Sequence, residues 1–236
     1  MKIRGLVSLL AALLMLLPLG VFAENEGTYE LGLPNLISYP ADEGSIVCAT
    51  GSIKNISDKP LFVGYGSCDM FDKEGNLLCT ASAQCVPMQL KPGETGIFRA
   101  DVPSFTFSNP NAEVADFAFR FEPFPDDGPG YTLLSPDAAL DTNLREYEGC
   151  PIIVTIHNNT GKDIEQFDVC VSLWHPSALD PNDEQILFMP ESMLFYNRIP
   201  KDSSVDVKFY LPSALVKMLE EQWPDYRLHS LVAIPD

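Results

Sequence analysis

Gly51-Ser52-Ile53-Lys54-Asn55-Ile56-Ser57 and Val154-Thr155-Ile156-His157-Asn158-Asn159-Thr160 decide how the chain is read. Each reads as a strand that ends in Asn-x-Ser/Thr. An Asn side chain can hydrogen-bond its own backbone two residues on, so each stretch predicts a strand closed by an Asn-capped turn. Both also match the glycosylation sequon. Their equivalent placement argues for the structural role.

Three further landmarks recur around them, in the same order. Asn35-Leu36-Ile37-Ser38-Tyr39 returns as Asn143-Leu144-Arg145-Glu146-Tyr147. An alternating strand from Leu61 to Phe71 returns from Phe167 to Trp174. The turn Lys91-Pro92-Gly93-Glu94 leads to Val102-Pro103, and Pro200-Lys201-Asp202-Ser203 leads to Leu211-Pro212. A fixed order repeated just over a hundred residues later reads as duplication. The expected organisation is a leader at 1–23 and two homologous units at 27–125 and 128–236. The Pro- and Gly-rich Phe124-Pro125-Asp126-Asp127-Gly128-Pro129-Gly130 is read as the linker between them.

Within each unit the pattern is β. Val169, Val171 and Leu173 alternate with Cys170 and Ser172, a period of two. Ile152-Ile153-Val154-Thr155-Ile156 reads as a strand buried on both faces. Asp72-Lys73-Glu74-Gly75 reads as a hairpin turn with Gly at positive φ. Short strands with turns at such spacing predict an all-β fold of two tandem immunoglobulin-like β-sandwiches. One late helix is expected after Pro212, capped by Ser213, with Leu215, Met218, Leu219 and Gln222 or Trp223 on its apolar stripe and Pro224 as its stop. The matching Ser104–Asn111 stretch predicts a loop or short turn.

The Asn-x-Ser/Thr strand ends, the alternating strands and the turns after Lys91 and Pro200 resemble the FxLYD domain, a small bacterial immunoglobulin-like sandwich with an Asn-rich turn, a strand ending Phe-x-Leu-Tyr-Asp, a Gly turn and a Pro-Gly turn. The first copy reads Cys68-Asp69-Met70-Phe71-Asp72 and keeps the Asp; the second reads Val171-Ser172-Leu173-Trp174-His175 and loses it. The resemblance covers 45–103 and 150–212. It implies an exported or surface-held module without enzymatic activity.

Lys2 and Arg4, the Leu-rich run through Leu17, the Pro18 and Gly20 break and Val21-Phe22-Ala23 together predict a cleaved secretory signal. The competing reading is an uncleaved anchor, since the apolar run approaches the ~20 residues of a membrane span. The rest carries no comparable run, so the mature chain is expected to be exported, secreted or at the cell surface, and not inserted in a membrane. The formal charge of −18 argues against nucleic acid and anionic lipid as partners.

Six cysteines in an exported chain suggest a disulfide framework. If the Asn55 turn folds its flanking strands into a hairpin, Cys48 falls opposite Cys68. The Asn158 turn likewise sets Cys150 opposite Cys170. Cys79 and Cys85 would then close a short loop. A Cys68–Cys79 pair across the Asp72–Gly75 turn is a rival, and reduced, buried thiols are the third reading.

Motifs for phosphate loops, dinucleotide binding, zinc proteases and the serine nucleophile elbow are absent. His157, His175 and His229 have no nucleophile beside them in sequence, and no cofactor is expected. Asp126-Asp127-Gly128 and the Asp180–Glu184 run offer oxygen ligands for calcium. Phe117, Phe119 and Phe121 alternate and predict core. Phe105, Phe107 and Phe124 are expected at a contact between the units, or as a ligand patch. The sequence thus points to a non-enzymatic binding protein whose partner is a protein or envelope component. A calcium-dependent carbohydrate- or surface-binding module is the alternative.

Overall fold

The computed structural model describes residues 27–41, 43–144, 149–176 and 184–236. The predicted leader and most of the Asp180–Glu184 run lie outside them. So does Arg145–Tyr147, the end of the second Asn-Leu-x-x-Tyr.

The first half contributes β1 (Tyr29–Leu31), β2 (Asn35–Pro40), β3 (Ser45–Asn55), β4 (Leu61–Phe62), β5 (Tyr65–Phe71), β6 (Leu77–Val86), β7 (Gln89–Leu90), β8 (Thr95–Pro103), β9 (Asp116–Arg120) and β10 (Phe124–Pro125). The second contributes β11 (Tyr131–Leu134), β12 (Asp137–Leu140), β13 (Gly149–His157), β14 (Phe167–Pro176), β15 (Glu184–Phe195), β16 (Ser204–Pro212), α1 (Ser213–Gln222) and β17 (Arg227–Pro235). All pairings are antiparallel, and the fold is all-β with one late helix, as the periodicity predicts.

Pairing repeats between the halves. β3 pairs β8 as β13 pairs β16; β5 lies between β6 and β9 as β14 lies between β15 and β17. In the second half these make two separate sheets, β12-β13-β16 and β11-β17-β14-β15. In the first half, Gln84, Cys85 and Val86 pair with Arg99, Phe98 and Ile97, and that short ladder joins the two sheets into one. β4 pairs β7 and β10 in a small separate sheet. Phe124–Pro125 is therefore a paired strand, not irregular linker.

The two Asn-x-Ser/Thr turns are built alike. Asn55 and Asn158 are fully buried. Asn55 Nδ2 donates to the carbonyls of Lys59 (2.7 Å) and Leu90 (2.9 Å), while its Oδ1 accepts from Ser57 N (2.9 Å) and Ser57 Oγ (2.7 Å). Asn158 Nδ2 donates to Lys162, Ile199 and Pro200, and its Oδ1 accepts from the Thr160 backbone and hydroxyl. The main chain repeats the match: Gly93 N donates to Asn55 O (2.9 Å), and Asp202 N to Asn158 O (3.1 Å). Gly93 (φ 81°) and Asp202 (φ 57°) both sit in the left-handed region, which Gly enters freely and Asp tolerates better than most residues. The sequon nitrogens are thus spent holding two turns together.

Other local expectations meet mixed outcomes. Asp72 Oδ1 accepts from Glu74 N (2.9 Å) and Asn76 N (2.8 Å), and Gly75 has φ 81°, so the hairpin forms as read. The bond from Asn76 holds the Asp72 carboxyl below its usual range. α1 begins at Ser213 with Pro212 in the cap position, and it buries Leu215, Val216 and Leu219. Each such side chain contributes roughly 1.5–3 kcal/mol by leaving water. Ser104–Thr106 is a single 3-10 turn. β13 corrects the reading of a strand buried on both faces. Ile152, Val154 and Ile156 are buried, while Ile153 and Thr155 are only half-buried and His157 is exposed.

The core lies in two parts joined at a seam. In the first half Val47, Ala49, Cys68, Met70 and Ala100 pack together, beside a cluster of Ile53, Val63, Leu90 and Phe98. The second-half core is larger and takes in Ile37, Tyr39 and Cys48 from the first half. Val86 and Ile97 meet Cys170, Ile186 and Met189 across the same seam. Phe105, Phe107 and Phe124 do not make this contact, contrary to expectation. Phe107 is buried in the first-half core, whereas Phe105 and Phe124 are each 53% exposed, Phe124 lying 5.3 Å from the Phe62 ring.

Replacing Asn158 with Ala strands three buried or half-buried carbonyls. Urea denaturation of Asn158→Ala is expected to show a loss of about 2–3 kcal/mol. The exposed Asn197→Ala should stay within about 0.5 kcal/mol of the parent.

Candidate functional site at the seam

Among the described strands β15 is the last of its sheet, and the carbonyls of Leu187 and Met189 face away from its partner there, β14. Three first-half side chains cover them. Asn35 Nδ2 donates to Leu187 O (2.8 Å), Thr50 Oγ1 to Leu187 O (3.4 Å) and Arg99 Nη1 to Met189 O (3.1 Å). Arg99 also donates from Nε to Asp101 Oδ1 (2.9 Å) and lies over the Phe188 ring at 5.9 Å. Tyr39 meets Phe188 edge-on, with centroids 6.0 Å apart. Burial works against the Arg99 charge, but the Asp101 hydrogen bond, together with the neighbouring Cys48, Asp101 and Tyr39, outweighs it and leaves its pKa raised.

Register explains why these groups meet. Asn35 faces Thr50, Thr50 faces Arg99, Arg99 faces Gln84, and Gln84 faces Tyr65. Facing residues of antiparallel strands share a side of the sheet, so the five form one transverse polar row across β2, β3, β8, β6 and β5. The first three end on β15. Gln84 and Tyr65 run past it and, with Ser82, Arg99, Asp101, Met189 and Ser192, line an open cleft of about 250 Å³. Tyr65 is 64% exposed. The side chains of Tyr65, Ser82, Gln84 and Ser192 make no hydrogen bond among the described residues.

The six candidate disulfide cysteines are all free thiols. The hairpin premise fails because β3 does not pair β5, nor β13 β14; the chain crosses between layers after each Asn turn. Cys48 points to the seam, opposite to its neighbours Val47 and Ala49, which pack with Cys68. Cys150 lies in the second-half core, whereas Cys170 points to the seam. Cys79 and Cys85 sit on one continuous strand, six residues apart, a span of about 20 Å that no disulfide bridges. In the rival pair, Cys68 faces Ala81 and Cys79 faces Met70, so the two cysteines are diagonal neighbours, not opposite. Burial pushes the thiols of Cys48, Cys68 and Cys170 up to about 12, and Cys85 upward as well.

The histidines are dispersed. His157 Nδ1 lies 2.7 Å from Ser204 Oγ on an exposed cross-strand pair, and His175 Nδ1 lies 2.7 Å from Pro176 O. His229 Nε2 is 3.2 Å from Glu184, which also binds Arg227 at 2.6 Å. Asp126 uses one carboxylate oxygen for the Gln89 amide (3.1 Å) and the other for Gly128 N (3.1 Å). Among the described residues, no group of three or more His, Cys, Asp or Glu could hold a metal ion.

No motif in the sequence marks Arg99, and Asn35 and Tyr39 stand out there only as landmarks of the repeat. One signal existed: Arg99 and Asp101 share a strand face with the apolar Ile97, an unusual place for a charged pair. No family model and no curated protein matches the chain.

Two measurements follow from this geometry. Arg99→Met removes the Met189 and Asp101 hydrogen bonds, and chemical denaturation is expected to register a loss of about 2–4 kcal/mol. With Ellman's reagent, the native protein should react at the half-buried Cys79 alone, and all six thiols should titrate after unfolding in guanidinium.

Proposed function

We propose that this chain is an exported, non-enzymatic binding protein of bacterial type, built from two immunoglobulin-like modules, that engages a protein or envelope component through the seam cleft. The observation that carries this reading is the open end of the polar row. An exposed Tyr65 and unpartnered Ser82, Gln84 and Ser192 surround an anchored Arg99. Tyr and Arg are the side chains on which binding energy tends to concentrate. Burial in the seam spares Arg99 much of the ordering entropy that an exposed side chain loses on binding. The cleft presents hydrogen-bonding groups with no base beside a nucleophile, which suits recognition better than reaction. Lys2, Arg4 and the Leu-rich run that follows support export, and the FxLYD-like strand and turn order supports the module type.

Immobilised full-length mature chain, exposed to solubilised bacterial envelope, is expected to retain a component. Tyr65→Ala should release most of it without moving the thermal midpoint, since the Tyr65 side chain is exposed and makes no hydrogen bond among the described residues. Equal retention by parent and variant would place binding elsewhere.

A further inference from the structure

We propose that the seam cleft takes a neutral saccharide unit. This rests on reading the cleft as the binding surface and names the chemistry that would occupy it.

Charge comes first. Among the described residues, the formal charges lining the cleft are Arg99 and Asp101, and they pair with each other at 2.9 Å. The site is therefore close to neutral, inside a chain of formal charge −18 that repels anions. Neither an acidic nor a strongly basic ligand finds a counter-charge to spare.

Hydrogen-bonding capacity comes second. The hydroxyls of Tyr65, Ser82 and Ser192 each donate and accept, and the Gln84 amide does both through separate atoms. Asp101 adds acceptors, and Arg99 has donors beyond the Nε and Nη1 already used. An apolar ligand would strip water from these groups and leave them unpaired. A ligand dense in hydroxyls matches them, because every hydroxyl also donates and accepts. The exposed Tyr65 ring offers a flat apolar surface to the C–H face of a sugar.

Shape and backbone come third. A cleft of about 250 Å³ holds the liquid volume of about eight waters, the scale of a single sugar ring. An extended peptide docks most readily by adding a strand to an open sheet edge. Here the Leu187 and Met189 carbonyls on the neighbouring edge of β15 are already taken by Asn35, Thr50 and Arg99, so a peptide strand finds no free acceptor at those two positions.

The test is calorimetric titration of the full mature chain with glucose, galactose, mannose and N-acetylglucosamine, in EDTA to exclude metal-dependent binding. At least one is expected to saturate the protein. Tyr65→Ala and Gln84→Ala should each weaken that sugar by about tenfold, as loss of a central contact does, with unchanged thermal midpoints. Glucuronic acid should bind more weakly than glucose. The inference is overturned if no sugar in the panel saturates the protein, if both variants bind as the parent does, or if the acidic sugar binds best. Envelope retention that depends on Tyr65, without sugar binding, removes the saccharide and leaves the binding-protein reading standing. Loss of both removes the cleft altogether.

Discussion

A sheet edge exposes a row of backbone groups that must be paired, blocked or hydrated, and the arrangement of this molecule follows from how one such edge is closed. β15 ends its sheet with the carbonyls of Leu187 and Met189 turned outward. The first half answers with side chains instead of another strand. Asn35, Thr50 and Arg99 reach those carbonyls from three different strands, so their spacing requires β2, β3 and β8 to be already in register. A slip of one residue in any of these strands would turn its donor to the other side of the sheet. The seam therefore reports on the correctness of the first-half sheet, and the cleft is the part of the same polar row that the seam leaves unused.

The Asn turns solve a related problem within each half. Where β3 and β13 end, the chain leaves one layer for another, and several carbonyls face inward without a ladder partner. A buried Asn side chain carries an amide like that of the backbone, so it supplies both donors and an acceptor at one point. The same solution appears twice, down to the Ser57 and Thr160 hydroxyls that accompany it. The left-handed residue whose N–H meets the Asn carbonyl is Gly93 in the first half and Asp202 in the second, where the same geometry comes at some cost in strain. The larger difference between the halves is the pairing of β6 with β8, which has no equivalent among the described strands of the second half. That pairing sets Gln84 beside Arg99 and so builds the cleft.

What could be read from sequence divides along the range of the interactions involved. The Asp72–Gly75 turn, the Asn turns, the late helix and the strand periods are local, and their chemistry is visible within a few residues. The disulfide pairings failed at the first non-local step. Opposing Cys48 to Cys68 assumes that consecutive strands are neighbours, and here the chain crosses between layers instead. The two-faced burial of β13 failed for a similar reason: β-branched composition does not say whether a second layer exists to cover Ile153. Phe105 and Phe124 look like contact residues because they flank the boundary between the halves, yet the contact forms on β2, β3, β8 and β15. Arg99 and its acceptor Met189 are 90 residues apart, and nothing in either local pattern names the other.

With no disulfide formed, the halves are held by packing and by the polar contacts of the seam. A unit of about one hundred residues buries a smaller share of its surface than a larger one and is correspondingly marginal. Ile37, Tyr39 and Cys48 are first-half residues, yet they are buried in the second-half core. Each half thus gains stability from the other that a covalent staple would otherwise supply. The same burial keeps the seam thiols protonated and out of reach of exchange, so the cysteines act there as small hydrophobes. Separating the halves would expose Cys48 and Cys170 together with the carbonyls of Leu187 and Met189, which makes the seam a costly place to open and a stable place to build a binding cleft.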